Sequence, residues 1–120
     1  MTFPTTMLPG VAYTVTLTST TTAKFKLTGL SSGHDYNVYF SLPAGMVLSG
    51  TTIPVTYTAS YNTSNTDTQA ATSFDPYAGV VYTATTATYY VRVGGTANPG
   101  SNIPAGNYSG TIIIYVLKLN

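Results

Sequence analysis

The stretch TIPVTYTASY, residues 52–61, decides the fold class of this chain. Its odd-numbered positions are apolar or aromatic, and its even-numbered positions are Thr, Pro or Ser. A period of two places alternate side chains on opposite faces, as in a β-strand with one face buried. Because Pro54 cannot donate a ladder hydrogen bond, we expect an edge or a bulge at that position.

The same alternation recurs along the chain and indicates several more strands. A closing strand is predicted from about Tyr108 to Leu119, and a short one near Ala71–Phe74. Residues 80–93 predict one long strand, or two strands joined at a bulge near Thr85. The remaining alternating segments are AYTVTLT (12–18), AKFKLTG (23–29) and DYNVYFSL (35–42).

Turn-rich segments separate these strands at 29–35, 42–50 and 94–107, and a long polar connection spans 61–79. The chain has no convincing helix pattern. Six or seven short antiparallel strands at this spacing predict an all-β fold, an immunoglobulin-like β-sandwich. A small barrel is the alternative. We expect one sandwich domain over residues 11–120, preceded by an N-terminal segment over residues 1–10.

The composition argues against several classes of function. Charged residues make up 6% of the chain, and the net charge is +1. Four bases cannot form the basic face that nucleic acids require, and no apolar run is long enough for membrane insertion. Without cysteine, there is no disulfide framework or thiolate metal site. We therefore expect no enzyme activity, no cofactor and no metal.

Two groups of residues could carry chemistry, and each has a simpler explanation. His34 beside Asp35 could act as a general base, but a position in the turn between two strands is the favoured interpretation. Asp67 and Asp75 could contribute to a weak calcium site, although their spacing lacks the closely placed carboxylates of such sites. Solvated loop polarity explains them better.

The tyrosines offer a further candidate, because aromatic rings stack on sugars. The alternation predicts that Tyr36, Tyr57 and Tyr82 lie in the core. Outward tyrosines could form a carbohydrate platform, although in sandwiches they more often support sheet pairing or subunit contacts. The outward candidates are Tyr39, Tyr77 and Tyr89.

The closing segment IIIYVLKL, residues 112–119, is apolar on both faces. A strand that is exposed on one side needs only one apolar face. The second face therefore predicts a cover from outside the subunit or from a packed neighbour. One face carries Ile112, Ile114 and Val116, and the other carries Ile113, Tyr115, Leu117 and Leu119.

Four short motifs give the chain a family resemblance. They are A-x-F-x-x-x-G at 23–29, Leu-Pro at 42–43, V-G-G-T at 93–96 and A-G-x-Y-x-G-T at 105–111. Over roughly residues 3 to 117 the sequence resembles the secreted bacterial family known as domain of unknown function 4402. It is more distantly similar to spore coat U and archaic chaperone–usher pilin domains.

The resemblance implies an exported immunoglobulin-like sandwich, in many cases a surface or filament subunit. It carries over no catalytic residues. The cysteines that are frequent in the pilin relatives are missing here. The positions that match the pattern are structural: Gly29, Leu42, Pro43, Gly94, Gly95, Ala105, Gly106, Tyr108, Gly110 and Thr111.

The resemblance also implies an additional apolar first strand, which is missing here or reduced to Thr2–Leu8. A sandwich without that strand leaves a groove that a strand from another molecule can fill. Three donor strands are possible: Met1–Leu8, a segment cleaved from the N-terminus, or the C-terminal strand exchanged between subunits. The expected contacts are Phe3, Met7 and Leu8 on the donor and, on the acceptor, Ile112, Ile114 and Val116 or the opposite face, Ile113, Tyr115 and Leu117.

The expected function is therefore a structural subunit of an extracellular or cell-surface filament, polymerising through β-strand complementation with copies of itself. The alternative is a carbohydrate-binding or adhesion module of a larger surface or virion protein, with surface glycans as partners. A sizing column and negative-stain images discriminate between the two, because only the first forms fibres.

Overall fold

The computed structural model describes residues 1–3, 7–8, 10–19, 21–48, 50–65, 71–101, 103 and 108–119. Those residues form nine β-strands that pair antiparallel, and they contain no helix. The strands are β1 (Tyr13–Val15), β2 (Ala23–Leu27), β3 (Asp35–Ser41), β4 (Gly45–Leu48), β5 (Thr51–Asn62), β6 (Thr72–Phe74), β7 (Val80–Thr83), β8 (Tyr89–Ala97) and β9 (Ile113–Lys118).

The larger sheet has six strands and is built around β8. On one side β8 pairs with β5, from Val55↔Ala97 to Asn62↔Tyr90. On its other side it pairs with β1 near its C-terminal end and with β2 near its N-terminal end. The outer edge of β5 carries β4 and β6. As a result, β8 has a hydrogen-bonded neighbour on both sides along most of its length.

The smaller sheet has three strands in the order β7-β3-β9. The central strand β3 pairs with β7 from Asp35↔Thr83 to Val38↔Val80. On its other side it pairs with β9 from Tyr36↔Lys118 to Ser41↔Ile113. Before β9 begins, Ser109 forms an isolated antiparallel bridge with Val47 of β4. The chain thus passes from the edge of the larger sheet to the edge of the smaller one.

The core between the sheets consists of two clusters of buried side chains. One contains Phe3, Ile53, Val55 and Tyr57, and the other contains Tyr36, Val38, Tyr82, Tyr89 and Val91. The ring of Phe40 links them, at 6.3 Å from the Phe25 ring and 6.0 Å from the Phe74 ring. Such offset and tilted ring pairs each add about 1 kcal/mol beyond their buried area.

The predicted all-β sandwich is confirmed, with corrections to individual strands. The alternation over 52–61 places Ile53, Val55, Tyr57 and Ala59 in the core, as predicted. The segment 42–50, predicted as a turn, contains β4. Residues 80–93 form two strands, as one of the two predicted alternatives had it, but the strands lie in different sheets and are not joined by a bulge. The short strand at Thr72–Phe74 is confirmed, and the closing strand is shorter than predicted.

The Gly-Gly pair of the V-G-G-T motif lies where strands approach closely. A Cβ atom on Gly95 would lie 2.7 Å from the backbone oxygen of Thr56 and 3.6 Å from Cε of Met1. Gly94 is more crowded still, because a Cβ atom there would lie 2.4 Å from the backbone oxygen of Val15 in β1. Any side chain there would force the sheet apart, so glycine at these two positions is a packing requirement. The family positions Ala105 and Gly106 lie outside the described residues.

Candidate assembly surface

Strand β9 is an edge strand, and within the described part of the chain it pairs only with β3. The Leu119 N–H donates to the Asp35 carbonyl at 2.9 Å. In an antiparallel ladder, such bonded pairs alternate with non-bonded pairs. The backbones of Ile113, Tyr115 and Leu117 therefore bond to β3, whereas those of Ile114, Val116 and Lys118 point away from the sheet. The outer edge of β9 offers donors and acceptors for a further strand.

The face of β9 that is directed into the sandwich is only partly covered. Ile112 packs against the first core cluster and Ile114 against the second, and both side chains are half-buried. Val116, on the same face, is exposed. The larger sheet therefore covers the start of this strand but not its end.

The opposite face of the smaller sheet is solvent-exposed and largely apolar. Ile113 is 46% exposed and Leu117 51% exposed, although both are large aliphatic residues. The Tyr115 ring stacks on the Tyr39 ring, with centroids 5.1 Å apart and planes 12° apart. Val81 on β7 and Leu119 extend the same exposed apolar surface. The sequence prediction of two apolar faces is thus confirmed, and much of that apolar surface remains in contact with solvent.

A cavity of about 470 Å³ opens over the larger sheet, next to the beginning of β9. Its walls include Ala23 and Phe25 from β2 and Ile112 from the segment before β9. All three methionines of the chain lie in its wall. The other lining residues are Thr2, Phe3, Pro43, Val55, Tyr57, Tyr108, Ser109 and Gly110.

Four described residues near the start of the chain line this cavity: Met1, Thr2, Phe3 and Met7. Phe3 is 9% exposed and belongs to the first core cluster, and Met1 and Met7 pack partly buried against that cluster. The Thr2 N–H donates to the Thr21 carbonyl at 2.9 Å. Leu8 is 59% exposed. Of the three predicted donor residues, Phe3 and Met7 therefore contact the protein's own core, and Leu8 faces solvent.

The wall of the cavity has both apolar and polar parts. The Tyr57 hydroxyl donates to the Pro43 carbonyl at 2.9 Å. Burial raises the pKa of this hydroxyl, and the nearby Tyr77 contributes in the same direction. This hydroxyl is therefore neutral and already hydrogen-bonded within the wall.

Of the residues considered as candidates for chemistry, those within the described part of the chain make structural contacts. His34 lies in the β2–β3 turn, where its carbonyl accepts from the Ala84 N–H at 2.9 Å. The Asp35 carboxylate accepts a hydrogen bond from the Thr83 hydroxyl across two strands. The Asp75 carboxylate accepts from the Tyr77 N–H at 2.9 Å within a turn. Asp67 lies outside the described residues.

The tyrosines largely follow the alternation. Tyr36, Tyr57 and Tyr82 are buried as predicted, and Tyr39 and Tyr77 are exposed. The prediction that Tyr89 faces outward is wrong, because its ring is buried 4.7 Å from the Tyr82 ring. The sequence analysis treated residues 84–88 as a possible bulge within one sheet and not as a connection between two sheets, so it did not predict which residues of β8 face the core.

A buried cation is the main feature that the sequence prediction missed. Arg92 lies on the outward face of β8, yet it is only 2% exposed. Its guanidinium donates to Asn62 Oδ1 at 2.8 Å and to the Ser64 carbonyl at 3.2 Å. Lys24, its neighbour across the ladder, bonds to Asn65. Residues 62–65, at the end of β5 and directly after it, therefore cover this face, and a lone arginine within YYVRV was the only signal for it.

One family match accompanies this geometry. The family described as Domain of unknown function (DUF4402) matches residues 4–117. The chain belongs to this family. No curated protein and no solved structure matched it. Among the described residues there is no helix that could cross a membrane.

Proposed function

We propose that this DUF4402 protein is a structural subunit of an extracellular filament, and that its copies assemble by β-strand complementation. The observation that carries the proposal is the outer edge of β9, where three residues direct their backbone groups away from the sheet. A strand from a second copy that pairs with this edge would extend the smaller sheet. An extracellular location is supported by two expectations from the sequence. The family that the chain resembles is secreted, and the chain is more distantly similar to pilin-like domains.

The edge of β9 has almost none of the features that protect edge strands from pairing. Such strands are usually short, bulged, interrupted by proline or rich in charge. β9 has six residues without proline, and Lys118 is its one charged residue. With 6% charged residues, the whole chain also has little charge repulsion between copies. These properties favour association through β9.

The exposed tyrosine pair favours a protein contact over a carbohydrate site. Sugars stack on the flat faces of aromatic rings. In the Tyr39–Tyr115 pair the two rings lie nearly parallel and each covers a face of the other. What remains for a partner includes ring edges and hydroxyl groups between aliphatic side chains, a surface typical of protein interfaces. We therefore rank the adhesion module second.

The variant Val116→Pro tests the proposal directly. Proline removes an N–H that points away from β3, so the existing ladder is kept while the outer edge loses a donor. We expect a folded monomer by circular dichroism that no longer forms fibres in negative-stain images or high-mass species on a sizing column. Val116→Thr keeps the N–H and is the matched control, which should assemble. A folded Val116→Pro protein that assembles like the wild type would overturn the proposal.

A further inference from the structure

The side of the smaller sheet that faces away from the core is exposed to solvent. Alternation along β3, β7 and β9 directs every second side chain to this side, and the strand register arranges those side chains in rows. One row contains Tyr39 and Tyr115, and the next contains Val81, Asn37 and Leu117. We call this surface the outer face. Its large apolar residues are Tyr39, Val81, Ile113, Tyr115, Leu117 and Leu119.

The area of the outer face is on the scale of a protein interface. Its six large apolar residues are between 38% and 58% exposed, and a residue of that size presents about 200 Å² when it is fully exposed. Together they expose roughly 600 Å², the upper end of the largest patch on a typical monomer. With the polar residues Asn37, Ser41 and Thr83 among them, the face approaches the roughly 800 Å² that each partner contributes to a standard interface.

The charge of the outer face favours a partner that is itself neutral and apolar. Among the described strand residues of this face, Asp35 is the one charged residue, and its carboxylate accepts a hydrogen bond from Thr83. Lys118 belongs to the opposite face of β9, since it lies across the ladder from the buried Tyr36. A surface without cations offers little to nucleic acids or to anionic lipid headgroups. The same face of a second copy provides the neutral apolar complement.

We propose that the outer face packs against the same face of a second copy and forms a two-fold symmetric dimer. A two-fold interface is isologous, so each contact between two residues occurs twice. Sheets that pack face to face lie about 10 Å apart, with their strands within about 30° of each other. The backbone edge of β9 takes no part in such a contact. The inference therefore goes beyond the proposed function: in a filament, this face would join subunits sideways, independently of strand pairing.

The position of Asp35 selects one of the two arrangements that a two-fold axis allows. An axis along the strands would place the Asp35 side chains of both copies at the same end of the interface, where like charges repel. An axis across the strands sets them at opposite ends of β3, about 20 Å apart. That separation exceeds the screening length of about 8 Å in physiological salt. In this arrangement β9 lies over β9 of the second copy, with reversed direction.

The aromatic row fits the same arrangement. The rings of Tyr39 and Tyr115 stack with their centroids 5.1 Å apart and form one bulky unit. When the axis passes between the two rows, the ring pair of each copy lies over Asn37 and Leu117 of the other copy. Large side chains then meet smaller ones, as close packing requires.

Sedimentation equilibrium tests the dimer on the Val116→Pro protein, in which the outer edge of β9 is blocked and the outer face is intact. We expect monomers at about 1 μM and dimers at about 300 μM, because a non-obligate interface of this area binds weakly. The wild type, below the concentration at which fibres appear, should behave in the same way. A protein that stays monomeric over the whole range would overturn the proposal.

A charge near the two-fold axis should break the dimer. Leu117→Lys places like charges close to each other in the two copies and should weaken association at least tenfold. Val81→Lys, in the same row, is a second variant with the same expected loss. The matched control is Val47→Lys on the larger sheet, because Val47 is 46% exposed and Leu117 is 51% exposed. The control should keep wild-type association, and circular dichroism establishes folding. Folded Leu117→Lys protein that dimerises like the control would overturn the proposal.

A mixture of two charge variants identifies the partner. Leu117→Lys and Leu117→Glu should each be monomeric alone and should form a heterodimer when mixed, because opposite charges then meet across the axis. A monomeric wild type that floats with phosphatidylcholine vesicles, and loses that binding in Leu117→Lys, would assign the face to a lipid surface and overturn the dimer. Dimers without fibres in any sample would overturn the filament and keep the dimer. Wild-type fibres without dimers of Val116→Pro would overturn the dimer and keep the filament.

Discussion

Strands β8 and β9 occupy opposite environments in this molecule. Strand β8, YYVRVGGTA, has neighbours on both sides and is buried on both faces, including its arginine. Strand β9, IIYVLK, has one neighbour, and five of its six residues are exposed. The strand with more aliphatic side chains is thus the one with less cover.

This difference shows that hydrophobicity and burial are separate properties of a strand. Burial depends on which elements the topology places around it, and β8 lies at the centre of the larger sheet while β9 lies at an edge. Exposed apolar surface on a monomer marks a contact with something else. In the proposed filament, β9 reaches an environment like that of β8 only after a second copy adds a strand.

The largest stability effect is expected at the crowded centre of β8. Gly95→Ala would place a Cβ 2.7 Å from the Thr56 carbonyl oxygen, and overpacking of this kind against backbone costs about 3 kcal/mol. Urea unfolding monitored by circular dichroism measures the loss. Gly100→Ala, whose Cβ would meet no atom within 4 Å, is the control and should change stability by less than about 0.5 kcal/mol. Equal effects at the two glycines would contradict the packing described for β8.

Truncation of one aliphatic side chain in each strand compares β8 and β9 directly. Val93→Ala removes two buried methyl groups from a fully buried residue and should cost about 2 kcal/mol. Leu117→Ala removes more carbon from a half-exposed position and should cost less than about 0.5 kcal/mol in the monomer. The same Leu117→Ala change should weaken assembly, measured as a higher protein concentration at the onset of fibres. A large loss of monomer stability would show that Leu117 is already covered.

How far the sequence predicts this structure depends on the kind of feature. Period-two alternation identifies the inward residues of β5 correctly because side-chain direction is a local property of a strand. The separation of 80–93 into β7 and β8 depends on pairing with strands that are distant in sequence. A local sequence pattern carries no information about such pairing. The burial of Arg92 depends on a loop folding over the sheet. The two apolar faces of β9 were visible in the sequence, but which of its edges stays open was not.

A stabilising effect, smaller than those of Gly95→Ala and Val93→Ala, is expected at the other edge strand of the smaller sheet, β7. The buried Tyr82 hydroxyl has no hydrogen-bond partner, and its removal in Tyr82→Phe should stabilise the protein by about 1 kcal/mol. Burial, together with the neighbouring tyrosines, raises the pKa of Tyr82 to about 12. An unfolded tyrosine ionises near pH 10.

The sign of the pH effect follows from that difference. Between about pH 10 and 12 the unfolded chain loses the Tyr82 proton while the folded chain keeps it, so stability falls as pH rises. Thermal unfolding from pH 8 to 11.5 should show a shallower decline for Tyr82→Phe than for the wild type. Parallel declines would mean that Tyr82 ionises equally in both states.

Amide hydrogen exchange on β9 tests the central claim most directly. In the monomer, the amides of Ile113, Tyr115 and Leu117 bond to β3 and should exchange slowly, whereas those of Ile114, Val116 and Lys118 should exchange quickly. Fibres can be exchanged in heavy water, dissolved under quench conditions and measured residue by residue. The account predicts that the second set becomes protected on assembly. Fibres in which those three amides still exchange as fast as in the monomer would contradict it.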